Sequence, residues 1–167
     1  MHTAILLLGS NLGNRLANLE IAMSLLKDKI GAIVRHSSVY ETTPWGFESS
    51  DLFLNQAVAV NTTRQPEEIL RHIQFIEAIL GRKRIKTVYM SRTMDIDILF
   101  IDQLILETPE LTVPHPLIQD RRFVLEPLAE IMPGFIHPKL NQSVAELLIE
   151  CKDPLMVSLY EYIEQRS

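Results

Sequence analysis

Two aspartates, Asp95 and Asp97, interrupt an otherwise apolar run at residues 93–101. Alternate side chains of a β-strand share a face, so such a strand presents both carboxylates on the same side. Two neighbouring negative charges repel each other, and a bound cation removes that repulsion. The pair therefore favours a divalent-metal site over a strand whose second face simply contacts water, which is the ordinary interpretation of a single aspartate. The same alternation predicts that Met94, Ile96, Ile98 and Phe100 point into the core, and that Leu99 and Ile101 follow the aspartates on the other face.

The segment 82–92, directly before the aspartates, contains five cationic residues and no acidic residue. A basic run in an acidic protein is usually an exposed loop. Here the chain brings the cations close to a predicted metal site, and cations that contact phosphate oxygens beside metal-binding carboxylates are typical of phosphoryl-transfer sites. Mg²⁺ suits two carboxylates because it commonly takes its other ligands from substrate phosphates and water.

Three other stretches have both a structural and a functional interpretation. Gly9-Ser10-Asn11 lacks the spacing of nucleotide-binding glycine loops, and a tight turn between a strand and a helix is sufficient to explain it. The loop at residues 42–51 contains Trp45 and Phe47, and two large aromatics in a loop favour a ligand surface. His115 lies between two prolines and can be explained as a residue of a rigid loop.

Length and composition favour a soluble protein of one domain. The 167 residues carry a formal charge of -5, which disfavours a general nucleic-acid-binding role. The apolar run at the N-terminus is too short to span a membrane, and the single cysteine, Cys151, fits a reducing compartment. We therefore expect a cytoplasmic protein with one domain over residues 1–167, a peripheral segment from about residue 153, and no obligatory protein partner.

Hydrophobic periodicity predicts the order strand, helix, strand, strand, helix, strand up to the aspartates. The second helix has the strongest signals, because Pro66 suits a first helical position and Gly81 ends the apolar stripe. This order is typical of an α+β fold with a ferredoxin-like βαββαβ core, whose antiparallel sheet packs its helices on one face, here with added C-terminal helices. The predicted strands are 4–8, 33–40, 53–62 and one near 104–106, and the predicted helices lie around 16–26, 66–80, 124–131 and, after a Ser143/Glu146 capping box, up to Ile149.

Several short motifs follow one another in order along most of the chain. They are Gly9-Ser10-Asn11, residues 40–46 with Leu54-Asn55, Glu77 with Gly81-Arg82, residues 92–98, and Val113-Pro114-His115-Pro116 with Arg121 and Phe123. Together they resemble the 6-hydroxymethyl-7,8-dihydropterin pyrophosphokinases of folate biosynthesis. The resemblance implies an ATP-dependent enzyme that transfers the terminal pyrophosphoryl group of ATP to the hydroxymethyl group of a reduced pterin and releases AMP.

The resemblance also implies which residues carry out this reaction. It places two Mg²⁺ ions on Asp95 and Asp97, and it makes Arg82 and Arg92 the catalytic cations that neutralise charge on the transferred group. In other phosphoryl-transfer enzymes such an arginine increases the rate about a thousandfold or more. The residues implied to bind ATP are Gln74, Glu77, Arg82, Arg84, Arg92, Ile98, Thr112, His115 and Arg121.

For the pterin, the resemblance implies a ring held between two aromatic side chains, Phe53 and Phe123. A flat heteroaromatic ring is suited to stacking together with a few fixed polar partners. The polar partners implied here are Asn55 and the backbone of Thr42, Thr43, Pro44, Trp45 and Gly46.

The chain departs from the family pattern at three places. Val88-Tyr89-Met90-Ser91 replaces a basic residue, an aromatic, a glycine and a proline, so one phosphate-facing cation is missing. Thr43 stands where a second proline is frequent, and Phe53 lacks the hydroxyl of the tyrosine often found there. Two alternative functions remain at this point: a non-catalytic ferredoxin-like module that binds a small molecule, and a kinase that transfers only the γ-phosphoryl group.

Overall fold

The structure, a computed structural model, describes residues 1–42, 52–81 and 93–160. Its helices and strands in these ranges follow one another in the order given next. They are β1 His2–Ser10, α1 Arg15–Lys29, β2 Ala32–His36, β3 Tyr40–Thr42, β4 Phe53–Thr62, α2 Pro66–Ile79, β5 Asp95–Ile101, β6 Leu106–Glu107, β7 Thr112–Val113, a short 3₁₀ helix Ile118–Asp120, α3 Arg122–Ile131, α4 Val144–Glu150 and β8 Val157–Leu159.

The main sheet is antiparallel and has the strand order β5-β1-β4-β3-β8 within the described ranges. β1 lies between β4 and β5, and β2 pairs with the part of β4 that β3 leaves free. β6 and β7 form a separate two-stranded hairpin. An antiparallel sheet combined with helices confirms the predicted α+β fold class.

Helices cover both faces of the sheet. On one face, Leu6 and Leu8 of β1 pack in a core with residues of α1 and α2. On the other face, Ile5 and Leu7 pack with residues of α3 and α4. The expectation that helices lie on one face therefore holds only for α1 and α2, and the added C-terminal helices form a third layer. The continuous apolar sequence of β1 explains this arrangement, because both faces of that strand must be shielded from water.

Local signals in the sequence mark the ends of the helices. Pro66 is the first residue of α2, and Gly81, just after the helix, has a φ of 87°, which glycine adopts without strain. At α4, the Ser143 hydroxyl accepts a hydrogen bond from the Glu146 backbone N–H at 3.1 Å. These predictions are confirmed, as are the bounds of β4.

The strand predicted over residues 33–40 is wrong as a single element, because it is divided into β2 and β3. Ser37, at the division, donates its backbone N–H to the Ala57 carbonyl, and its hydroxyl accepts a hydrogen bond from the Ala57 N–H at 2.9 Å. The Ser37 hydroxyl thus takes the place of the backbone carbonyl that would accept this hydrogen bond in a regular sheet, and the strand pairing is interrupted. The short strand expected near residues 104–106 also lies slightly later, as β6.

A β-bulge in β5 changes the predicted alternation of its side chains. Ile5 pairs with Phe100 and Leu6 with Ile98, so Leu99 is the additional residue. Leu99 and Phe100 consequently both lie in the core with α3 and α4, whereas Ile101 lies in the core with α1 and α2. Phe100 is in the core, as predicted, but on the opposite face of the sheet, and the predicted face of Ile101 is wrong. Residues 94–98 precede the bulge and keep the predicted alternation.

The segment after α4 is packed against the domain as far as the structure describes it. Asp153 is buried, with 7% exposure, and β8 pairs with β3 at the edge of the main sheet. Asp153 is thus anchored in the domain, whereas residues 154–160 are exposed or half-buried, and the peripheral segment from about residue 153 stays a prediction. In the described part of the chain, no helix is both long and apolar enough to cross a membrane.

Candidate active site

One end of the sheet brings the predicted ligand-binding residues together around Gly9. Gly9 pairs with Asn55 of β4 on one side and with Asp95 of β5 on the other, so the three residues form one row across three strands. A Cβ atom at Gly9 would lie 3.1 Å from Asn55 Oδ1 and 3.7 Å from Phe53 Cδ1. Gly9 is therefore a strand residue that permits the Asn55 side chain to approach the backbone closely, and its interpretation as part of a turn is wrong.

Asp95 and Asp97 lie on the sheet face that α3 and α4 cover. Both side chains are half-buried, and Asp97 pairs with Leu7, which is part of the core on that face. The predicted common face of the two carboxylates is thus confirmed. Among the residues that the structure describes, no group of three or more His, Cys, Asp or Glu side chains could hold a metal ion. The pair fits Mg²⁺, which binds one or two carboxylates together with phosphates and water, better than a metal that needs a cage of protein ligands.

A hydrogen bond between two buried side chains fixes the orientation of the Asn55 amide. Asn55 Nδ2 donates to Thr42 Oγ1 at 2.8 Å, and each residue is only 3% exposed. The Asn55 carbonyl oxygen is consequently turned toward Gly9. Phe53, which pairs with Thr42, is half-buried at the same end of the sheet. A donor on a ligand could therefore reach an acceptor whose direction is already set.

Phe123 and Arg121 approach this face from the first turn of α3. The Phe123 ring is half-buried and packs against the core beneath α3 and α4. Arg121 precedes the helix as its N-cap residue, and its guanidinium carbon lies 5.6 Å from the centre of the Phe123 ring. The pair presents a planar apolar surface next to a positive charge, an arrangement suited to an aromatic ligand beside a phosphate.

His115 is held next to β5 in its neutral form. Its backbone N–H donates to the Leu99 carbonyl at 3.0 Å, and its Nδ1 accepts a hydrogen bond from the Leu117 N–H at 3.2 Å. Burial and, to a smaller extent, the Arg121 charge lower the pKa of His115 to about 4, although Asp95 opposes both. Nδ1 is an acceptor, so the neutral ring carries its proton on Nε2 and can donate it to an anion. Thr112, in β7, is half-buried and lies just before the cis Val113–Pro114 bond.

Three further residues predicted to bind ATP lie on α2 or on the edge of β5 that faces away from β1. Glu77 of α2 is buried, and its Oε2 accepts a hydrogen bond from the Ile96 backbone N–H at 3.2 Å. Because backbone N–H groups alternate in direction along a strand, the Ile98 N–H is expected on the same edge. Gln74 is exposed and lies one turn before Glu77 on α2.

Two residues near the site were not identified from the sequence. Tyr40 pairs with Asn55, and its hydroxyl donates to Glu130 Oε1 of α3 at 2.7 Å. Burial and the adjacent carboxylate raise the pKa of Tyr40. Burial opposes ionisation of Glu130, but hydrogen bonds from Tyr40 and Ser38 outweigh it and lower the Glu130 pKa. This contact fastens β3 to α3, and no local signal could have revealed it because its members are far apart in sequence.

Part of the predicted site lies outside the described residues. This applies to the basic segment that precedes the aspartates and to the loop that follows β3. The predicted site residues concerned are Arg82, Arg84, Arg92, Thr43, Pro44, Trp45 and Gly46.

Residues 5–133 match the model of a protein family described as 7,8-dihydro-6-hydroxymethylpterin-pyrophosphokinase (HPPK). Curated relatives named 2-amino-4-hydroxy-6-hydroxymethyldihydropteridine pyrophosphokinase are similar over most of their length. A protein from Porphyromonas gingivalis is 42% identical over 142 residues, covering 83% of this chain and 96% of the relative. One from Bacillus subtilis is 45% identical over 129 residues, covering 77% of each chain. One from Aquifex aeolicus is 38% identical over 146 residues, covering 87% of this chain and 90% of the relative.

Solved structures with a similar fold come from larger HPPK-DHPS proteins. One crystal structure of HPPK-DHPS in complex with substrates superposes with a TM-score of 0.73 at 17% identity, covering 89% of this chain and 43% of that chain. The wild-type Plasmodium falciparum HPPK-DHPS gives a TM-score of 0.72 at 20% identity, covering 89% and 44%. This chain therefore spans less than half of the solved chains it matches, and the likeness supports the fold alone. The family match and the curated relatives show that the chain belongs to the 7,8-dihydro-6-hydroxymethylpterin-pyrophosphokinase family.

Proposed function

We propose that this protein transfers the pyrophosphoryl group of ATP to the hydroxymethyl group of 6-hydroxymethyl-7,8-dihydropterin and releases AMP, a step of folate biosynthesis. The observation that carries the proposal is the row formed by Asn55, Gly9 and Asp95. The oriented Asn55 amide, which is suited to the edge of a heterocycle, and the Asp95 carboxylate lie on the two strands that flank β1. Membership of the pyrophosphokinase family supports the same reaction.

The pterin is proposed to bind between Phe53 and Phe123, with its polar edge on Asn55. A pterin ring presents amino and ring N–H donors, and the fixed Asn55 carbonyl oxygen is a suitable acceptor for them. The backbone of residues 42–46 is proposed to supply the other polar contacts. Aromatic rings on β4 and α3 would exclude water from both faces of the heterocycle, which favours binding of a flat ligand.

ATP is proposed to lie along the edge of β5 that faces away from β1, with its phosphates toward Asp95 and Asp97. Glu77, Gln74, Thr112 and the Ile98 backbone are the proposed contacts of the nucleoside. His115 and Arg121 are proposed to contact phosphate oxygens, the first as a neutral donor and the second as a cation. Arg82, Arg84 and Arg92 are proposed to contribute the remaining positive charge.

Asp95 and Asp97 are the residues proposed to hold two Mg²⁺ ions. When bound, such ions neutralise phosphate charge and orient the polyphosphate for displacement. The substrate hydroxyl oxygen attacks the β-phosphorus in line. A new bond forms between that oxygen and the β-phosphorus, while the bond from the β-phosphorus to the oxygen bridging the α- and β-phosphates breaks. Its electron pair leaves with AMP, and the proton of the attacking hydroxyl passes to water. Arg82 and Arg92 are proposed to stabilise the charge that develops on the transferred group.

The nucleotide product distinguishes this function from its alternatives. The purified protein would be incubated with Mg-ATP and the reduced pterin alcohol, and nucleotides would be separated by ion-exchange chromatography. AMP formed in equal amount with pterin pyrophosphate is the expected result. ADP would indicate γ-phosphoryl transfer, and no product would indicate a binding module. A 6-methyl pterin, which lacks the attacking hydroxyl, serves as the control and should yield no AMP.

We further propose that residues 1–167 act as one pyrophosphokinase domain in the cytoplasm, without an obligatory protein partner. Cys151 is a buried free thiol, which fits a reducing compartment. Fractionation of cells that produce the protein tests the location, and size-exclusion chromatography of the active protein tests the need for a partner.

A further inference from the structure

The first turn of α3 is capped by a residue from a distant part of the chain. Arg121, the N-cap residue, provides no side-chain hydrogen bond to the helix. Instead, Asp153 Oδ2 accepts a hydrogen bond from the Arg122 backbone N–H at 3.1 Å. A carboxylate at this place satisfies an N–H group without an intrahelical partner and interacts favourably with the helix dipole. Asp153 therefore does for α3 what an N-cap side chain does in most helices.

The contact is reciprocal, because the Arg122 side chain binds the backbone around Asp153. Its Nε donates to the Asp153 carbonyl at 3.2 Å, and one terminal nitrogen donates to the Cys151 carbonyl at 2.9 Å. Asp153 Oδ1 accepts a further hydrogen bond from the Leu155 N–H at 3.0 Å. Both Asp153 oxygens thus bond to backbone groups in a buried environment, so this carboxylate acts on the protein and not on a ligand.

The hydrogen bonds that join Arg122 to Asp153 and Cys151 are called the clamp below. The clamp holds Arg122, which lies between two proposed ligand contacts. Arg121 and Phe123 flank Arg122, whose own side chain is directed to the segment after α4. The direction of the α3 first turn therefore determines where the Arg121 guanidinium and the Phe123 ring lie. We propose that Asp153 is a positioning residue that sets Arg121 and Phe123 for ATP and pterin binding. The inference rests on the proposed function, and it gives residues 151–155, which lie outside the stretch matched by the family model, a role in the site.

Substitution of Asp153 tests the inference through binding parameters. Asp153→Ala should raise the KM values for both ATP and pterin about fivefold or more while kcat changes less than about twofold, because Asp153 does not touch reacting atoms. Asp153→Asn keeps an acceptor for the Arg122 N–H and should restore most of the affinity. Glu150→Ala is the matched control, since Glu150 is exposed at the end of α4 and bonds only to Gln142 among the described contacts.

Several outcomes would overturn the inference. Wild-type KM values in Asp153→Ala would do so even if its melting temperature fell, because the residue would then stabilise the fold without positioning the site. Equal increases in Glu150→Ala, or a loss confined to kcat, would also contradict it. If Asp153→Ala does not fold, Arg122→Ala provides the measurement, because it removes the side-chain hydrogen bonds to the carbonyls of Asp153 and Cys151. Its KM values for ATP and pterin should both rise while kcat changes less than about twofold, and wild-type KM values would refute the clamp.

A failure of the proposed function can be recognised separately. In that case the wild-type protein would form no AMP, and the clamp would be examined without ligands by hydrogen exchange of the amides in residues 122–125. These amides should exchange faster in Asp153→Ala than in the wild-type protein, and at the wild-type rate in Glu150→Ala. Unchanged exchange in Asp153→Ala would overturn the capping contact itself.

Discussion

Replacement of Gly9 by alanine should impair pterin binding more than it affects stability. The added Cβ would meet Asn55 Oδ1 at 3.1 Å, whereas ordinary contacts begin at 3.4 Å, so the amide must move by about 0.3 Å, the difference between the two distances. Asn55 is not free to do so, because its Nδ2 is hydrogen-bonded to Thr42 Oγ1 in a buried position. The new methyl group therefore acts on the side chain proposed to recognise the pterin edge.

The magnitude follows from the contact that must be distorted. Loss of a buried hydrogen bond costs about 1 to 3 kcal/mol, and 1.4 kcal/mol corresponds to about tenfold in affinity. We therefore expect the Gly9→Ala protein to bind pterin about 5- to 150-fold more weakly. Stability should change less, since reduced entropy of the unfolded chain contributes about 0.4 to 1 kcal/mol in favour of alanine and partly offsets crowding of about 1 to 3 kcal/mol.

Titration calorimetry with the pterin and a non-hydrolysable ATP analogue measures the affinity, and thermal unfolding measures the stability. Gly134→Ala is the matched control, because a Cβ at Gly134 would meet nothing within 4 Å. It should leave the pterin affinity unchanged and, through the same effect on the unfolded chain, raise stability by about 0.4 to 1 kcal/mol. Wild-type pterin affinity in Gly9→Ala would refute the reasoning, since Asn55 would then be either movable or not part of the pterin site. An equal loss in Gly134→Ala would show that the effect is not local.

Three further predictions concern the carboxylates and the histidine. Asp95→Ala and Asp97→Ala should each reduce turnover at least a hundredfold with little change in melting temperature, and near-normal rates with Mg²⁺ would contradict the metal assignment. Glu77→Ala should lower the free energy of unfolding by about 1 to 3 kcal/mol, because the Ile96 N–H loses an acceptor; chemical denaturation measures this, and Glu77→Gln, which retains an acceptor, should lose less. His115 in the metal-free protein should titrate by NMR with a pKa of about 4, below its ordinary 6.5. The unfolded state then binds more protons between these values, so the His115 contribution to stability should decrease as the pH falls from 6.5 to 4, and a decrease of equal size in His115→Gln would contradict this.

Elements specified by nearby residues could be predicted from the sequence. The helix α2 begins at Pro66 because proline suits the first helical position. The strand β4 has the predicted bounds because the apolar residues at 53–54 and 57–60 lie in one stretch of strand length. The common face of Asp95 and Asp97 also follows from strand geometry alone. In each case the determining residues lie within a few positions of one another.

Features that depend on strand register could not be predicted in this way. The importance of Gly9 arises only when β1 places it between Asn55 and Asp95, two residues far from it in sequence. The bulge at Leu99 likewise depends on how β5 pairs with β1, and it moves Phe100 to the opposite core. Asp153 could not be recognised as a cap, because capping signals in sequence assume that the cap precedes its own helix.

The charges of the described site residues bear on the role proposed for the basic segment 82–92. Asp95, Asp97 and Glu77 contribute three carboxyl groups, whereas Arg121 is the one guanidinium among the described residues predicted to bind ATP, and the lowered pKa of His115 keeps its imidazole neutral. ATP is a polyanion and would be repelled by such a surface. ATP binding at this end of the sheet would therefore need additional positive charge, which the proposed Mg²⁺ ions and the five cations of residues 82–92 are proposed to supply. The absence of the usual basic residue at Val88 should make the remaining arginines more important here, not less.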